Sequence, residues 1–127
     1  MAKYGDKILY VVKHFPLEDI HDQAKVAAMA AQCANREQHY WEMERTLFSG
    51  APDTIKVIVS ESGRALGLGR AFEDCISNES TATEVAQDIE DGLSIGVRGT
   101  PTFVINDKLI SGAVPMQQWE LLLGRRF

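Results

Sequence analysis

Cysteine is nearly absent: Cys33 and Cys75 are the two in 127 residues. They lie too far apart for a Cys-x-x-Cys, and no histidine stands at zinc-ligand spacing from either. No apolar run approaches the ~20 residues that span a bilayer, so no membrane helix is expected. The opening stretch, Met1 to Asp6, has no apolar h-region, and no signal peptide is expected in it. Basic residues are also few. Thirteen Lys and Arg stand against eighteen Asp and Glu, a net charge of −5, and only Arg125-Arg126 pair up near the end, as a solvated tail. That balance argues against nucleic acid or an anionic membrane as the default partner. There is no internal repeat, no low-complexity tract and no Ser-His-Asp arrangement.

What is present is enough apolar material for one hydrophobic core: 45% of residues are hydrophobic and 24% charged. Ile8-Leu9-Tyr10-Val11-Val12 is short, continuously apolar and β-branched, which predicts a buried strand ended by Pro16. Helical periodicity then runs to about residue 95. Asp19 is a candidate cap for a first helix whose apolar stripe is Ile20, Ala24, Ala27, Ala28 and Ala31. Tyr40, Trp41, Met43, Leu47 and Phe48 mark a second, aromatic helix. Asp53 and Thr54 start a third, burying Ile55, Ile58, Val59, Ala65 and Leu66. A short fourth centres on Phe72 and Ile76. A fifth opens with the capping-box pattern Thr81-Ala82-Thr83-Glu84 and presents Val85, Ala86, Ile89 and Leu93. The pattern changes at Gly96. Thr102–Ile105 and Lys108–Ser111 read as a hairpin around Asn106-Asp107. Pro115 starts a last helix with Met116, Trp119, Leu122 and Leu123 on one face.

Other constellations carry bland readings. His14 and His21 flank Glu18 and Asp19 and could look like metal ligands, but no metal is expected. Gly63, Gly67 and Gly69 near Arg64 and Arg70 match neither phosphate-loop spacing, and read as punctuation between helices. Trp41 and Trp119 are expected in the core, and Asp88, Glu90 and Asp91 on a solvated helix face. Cys33 and Cys75 are open between two buried free thiols and a disulfide. A disulfide closing that loop would contribute about 4 kcal/mol on the chain-entropy model.

Gly96-Val97-Arg98-Gly99-Thr100-Pro101-Thr102-Phe103, continued by Val104-Ile105-Asn106-Asp107-Lys108-Leu109-Ile110-Ser111-Gly112-Ala113, resembles the cis-proline segment and closing hairpin of the DsbA-like branch of the thioredoxin superfamily. A second block agrees: Lys13-His14-Phe15-Pro16-Leu17, His21, the Ala-rich helix with Cys33, then Tyr40-Trp41-Glu42-Met43 and Leu47-Phe48. The resemblance covers nearly the whole chain in family order. It implies an α/β, truncated DsbA-like thioredoxin fold forming one domain over 1–127. Residues 1–15 and 96–127 would form the sheet part, with one N-terminal strand and a C-terminal hairpin and helix, and 16–95 a helical insertion.

The resemblance also implies a cis bond before Pro101, an Arg98-Gly99-Thr100-Pro101 loop whose Thr100 backbone pairs with an extended peptide, and a non-catalytic Cys33–Cys75 pair. Neither thiol of the family's Cys-x-x-Cys is in the sequence, so no catalytic residue, metal or cofactor is expected. The family's central strand, between the ones matching Ile8–Val12 and Thr102–Ile105, is missing too, and the seam it leaves would be repaired by Ile8–Val12 shifting into the gap or, the favoured reading, by strand pairing in a homodimer. The expected function is a redox-inactive module binding an extended peptide, a protein partner or itself. The alternative is a shortened form, or half, of a thiol–disulfide oxidoreductase whose dithiol segment lies outside this chain. An authentic start would place the protein in the cytoplasm, and a fragment in the periplasm.

Overall fold

Alanines set how closely the first helix meets its neighbours. In the computed structural model, which describes residues 5–124, that helix is α1 (Ala24–Arg36). It is followed by α2 (Tyr40–Ser49), a 3-10 turn (Pro52–Thr54), α3 (Ile55–Ala65), α4 (Arg70–Ile76), α5 (Glu79–Ser94), β1 (Thr102–Ile105), β2 (Lys108–Ser111) and α6 (Met116–Gly124). The described chain divides into a helical unit, residues 14–95, and a second unit of residues 5–13 with 96–124.

In the helical unit Ala30, Ala31, Cys33 and Ala34 of α1 meet Met43 and Leu47 of α2, Ile55 and Val59 of α3, Leu68, and Phe72 of α4. Short side chains on α1 leave room for these larger ones, each worth about 1.5–3 kcal/mol when fully buried. On another flank Ala28 and Met29 pack with Val85 of α5. Gly63 belongs to the same logic, since a Cβ there would lie 3.0 Å from the Phe72 ring. Two helices end on left-handed residues. Gly67 (φ 71) closes α3, with Gly67 N–H donating to the Arg64 carbonyl and Leu68 N–H to that of Gly63. Gln38 (φ 63) closes α1, with the N–H groups of Gln38 and His39 donating to Asn35 and Ala34.

Several expectations need correcting here. Asp19 caps nothing, because α1 begins five residues later, after turns, and Ile20 is exposed. The fifth helix starts at Glu79, capped by the Asn78 side chain, which accepts from Ser80 N–H at 2.8 Å. Asn78 supplies the cap earlier in the chain, and Thr81 lies inside the helix, fully buried. Trp41 and Phe48 are not core residues. They lie on the outer face of α2, 51% and 84% exposed, because α2 turns Met43 and Leu47 inward. Ala65, Ala86 and Leu93 also face solvent. Asp88 is more than solvated surface: its carboxylate accepts the His14 backbone N–H at 2.9 Å.

In the second unit β1 and β2 form an antiparallel hairpin with Thr102 opposite Ser111 and Ile105 opposite Lys108. Asn106 takes the left-handed conformation (φ 57) at the turn. Phe103 of β1 meets Trp119 of α6 edge to face, ring centroids 4.7 Å apart. The Ile8–Val12 strand does not form. The described sheet is two-stranded, and Leu9, Tyr10 and Val11 are exposed, Leu9 at 90%. An apolar β-branched run is competent for a strand, but it becomes one only where an edge accepts its backbone. Of the described residues in this unit, Val97 alone is buried. Val104, Leu109, Met116 and Leu121 stay exposed, so the face expected to begin at Met116 is only half covered.

Candidate partner-binding loop

The chain from Gly96 to Thr102 is built from residues that resist regular structure. Gly96 adopts φ 97, a conformation side-chain-bearing residues rarely take, and Val97 behind it is buried. Arg98, Thr100 and Pro101 are exposed and Gly99 half-buried. The Thr100–Pro101 peptide bond is cis. Two hydrogen bonds pin the loop on either side of Thr100: the Thr102 hydroxyl donates to the Gly99 carbonyl at 2.7 Å, and Gly112 N–H donates to the Pro101 carbonyl at 2.8 Å. Among the described residues nothing hydrogen-bonds the Thr100 N–H or carbonyl. The Arg98 guanidinium likewise makes no ion pair among them. The loop is thus held in place with the backbone polar groups of an exposed residue unengaged, and an exposed arginine stands two positions earlier in the chain.

Cys33 and Cys75 lie in the helical unit and are joined in a disulfide that ties α1 to α4. Cys33 is buried and Cys75 half-buried. The Thr81 hydroxyl lies 3.4 Å from Cys75 Sγ and 3.8 Å from Cys33 Sγ. Arg36 Nη1 donates to Cys75 Sγ at 3.1 Å, while its Nη2 meets Glu84 Oε1 at 2.6 Å. Gln32 Nε2 donates to the other Glu84 oxygen at 2.7 Å, and its Oε1 lies 3.3 Å from His14 Nε2. The Gln32 amide is the main cause that holds the Glu84 carboxyl below its ordinary value; desolvation opposes it, and Arg36 adds to the lowering by hydrogen bond and charge. This network was not anticipated. Its one sequence signal is the spacing of Gln32 and Arg36, four apart on one face of α1.

With both cysteines bonded to each other, no thiol is free to attack a disulfide. Among the described residues no three His, Cys, Asp or Glu side chains gather as metal ligands, and no helix is long and apolar enough to cross a membrane.

The thioredoxin family model (Thioredoxin_4) matches residues 1–124. The chain belongs to the thioredoxin family, in keeping with its resemblance to the DsbA-like branch. Curated relatives share part of it. A Na(+)/H(+) antiporter NhaA 1 of Mycolicibacterium gilvum is 33% identical over 110 residues, 84% of this chain and 18% of that protein. NhaA 1 of Salinispora arenicola is 32% identical over 108 residues, 84% and 16%. NhaA 3 of Salinispora tropica is 30% identical over 102 residues, 80% and 16%. The chain therefore spans under a fifth of the length of these relatives. No solved structure matches it.

Proposed function

We propose that this thioredoxin-fold chain is a redox-inactive module that binds an extended peptide or protein segment at the loop Arg98-Gly99-Thr100-Pro101. The observation carrying the reading is Thr100: exposed, fixed by hydrogen bonds on both sides, and with its own N–H and carbonyl unengaged among the described residues. A backbone held open in this way accepts an extended chain by strand addition, with affinity from main-chain hydrogen bonds. Arg98 beside it favours a segment with an acidic residue in register. The two cysteines are engaged in the α1–α4 disulfide, and the chain's sequence offers no second thiol pair to transfer oxidising equivalents. Replacing Thr100 by Pro removes the N–H donor. We expect it to weaken binding of an unstructured peptide about fivefold or more, the worth of a hydrogen bond of ~1 kcal/mol. Equal binding by the parent chain and the Thr100→Pro variant would sink the peptide reading, and turnover in an insulin-reduction assay would sink the redox-inactive one.

The relatives favour a more particular partner. In the three named above the matching stretch is a minor part of a Na(+)/H(+) antiporter. On this second reading the module serves such an antiporter, as an appended domain or as a separate chain, and the extended segment is one of the transporter's loops. A third candidate occupant is a second copy of the chain, pairing a hairpin edge or Ile8–Val12 across a twofold. Sedimentation across a hundredfold concentration range separates self-pairing from the other two.

A further inference from the structure

A cleft of about 260 Å³ lies within the helical unit, between α1, α3 and α4. Its floor is apolar: Val26, Val59, Leu68 and Ile76. One rim is a polar stripe along α3, Lys56, Ser60 and Arg64, which stand four residues apart on one face and extend ~12 Å along the helix. Glu73 of α4 is the other charged group on the lining, so the cleft carries one net positive charge in a chain whose net charge is −5. Neither cation is spent. Among the described residues Lys56 and Arg64 make no ion pair, and the Arg64 guanidinium reaches only the Ser60 hydroxyl, at 3.4 Å. Glu73 makes no ion pair across the cleft either.

We infer that this cleft binds a small amphiphilic anion, an apolar chain ending in a carboxylate. The chain would lie on Val26, Val59, Leu68 and Ile76, and its head group would meet Lys56 or Arg64. Size and charge select this class. At about 260 Å³ the cleft suits a small molecule and is too small for a folded segment. The unpaired cations distinguish an acid from an alcohol or an amine of the same chain length, and Glu73 penalises a second negative charge. This inference does not depend on the peptide-binding reading of the Thr100 loop, which lies in the other unit.

The test is a titration of the full isotopically labelled chain with sodium octanoate, followed by amide NMR. We expect saturable shifts at Val26, Val59 and Ile76. Affinity should rise roughly fifteenfold from hexanoate to octanoate, the worth of two buried methylenes at ~0.8 kcal/mol each. Octylammonium should bind more weakly than octanoate. The Lys56→Gln/Arg64→Gln double variant, whose changes are on exposed positions, should lose about fivefold in affinity, the upper range for exposed charge pairs. Ser60→Trp, also exposed, should abolish the shifts by filling the cleft. Absence of saturable shifts, equal binding of octanol or octylammonium, or a short apolar peptide binding the cleft where octanoate does not, would each overturn the inference.

Discussion

Single residues in the helical unit carry unequal shares of its stability. Met43 is fully enclosed among the alanines of α1, so Met43→Ala leaves a cavity its neighbours cannot fill. We expect a loss of about 2–5 kcal/mol, read as a lower denaturation midpoint at unchanged slope. Glu84 makes a smaller, pH-dependent contribution. Its folded-state pKa is depressed by Gln32 and Arg36, so the stability it adds is present above the ordinary carboxylate range. That stability is lost as pH falls from that range through the lowered folded value. Because Glu84 and Arg36 are both exposed, solvent screening keeps the effect small. In carbon-detected NMR the Glu84 carboxyl should titrate below the ordinary glutamate range, and Gln32→Ala should move it back toward that range. No movement would mean that Gln32 is not the cause.

At the scale of elements, helix ends were less legible than helix faces. The spacing of Met43 with Leu47, and of Ile55 with Val59, pointed to the faces that are buried, because periodicity reports burial directly. The start of α5 was missed. Thr81 with Glu84 has the form of a capping box, but Asn78 three residues earlier is an equally good cap, and the extra turn lets Thr81 reach the disulfide. Trp41 misled for a different reason: aromatic character suggests burial, and only the rotation of α2 shows which aromatics gain it. Ile8–Val12 failed as a strand because a strand is defined by its neighbour, which local sequence does not contain. The Thr100 loop was found through a resemblance, not through any pattern in composition. Its hydrogen-bond anchors at Thr102 and Gly112 became visible only in three dimensions.

The end of α1 offers a test at this scale. Gln38 occupies a left-handed position that normally favours glycine, at a cost of about 1–2 kcal/mol for a residue with a Cβ. Gln38→Gly should therefore stabilise the chain by about 1 kcal/mol, less the greater entropy glycine gives the unfolded state. A destabilised variant would show that the Gln38 side chain contributes contacts that outweigh the backbone term.

Across the whole molecule the two units are unequally built. The helical unit holds every buried residue described except Val97, together with the disulfide. The hairpin unit exposes apolar side chains on β1, β2, α6 and the Ile8–Val12 run. Local stability follows buried contacts, so amide exchange should be slowest in α1, α2 and α5 and fastest in residues 5–13 and 96–124. Reduction of the disulfide should cost roughly 2–5 kcal/mol and accelerate exchange in α1 and α4 first. A chain in which the hairpin exchanges as slowly as α1 would contradict this division. The exposed apolar surface and the open Thr100 backbone occur in the same unit, the one with least core of its own. That is the arrangement expected of a surface completed by a partner.

The most direct test of that claim is residue-resolved amide exchange of the full chain with and without a saturating unstructured acidic peptide. The account requires the Thr100 N–H to slow by tenfold or more while the amides of α1 are unchanged. Unaltered exchange at Thr100, with binding detected elsewhere or not at all, would contradict it.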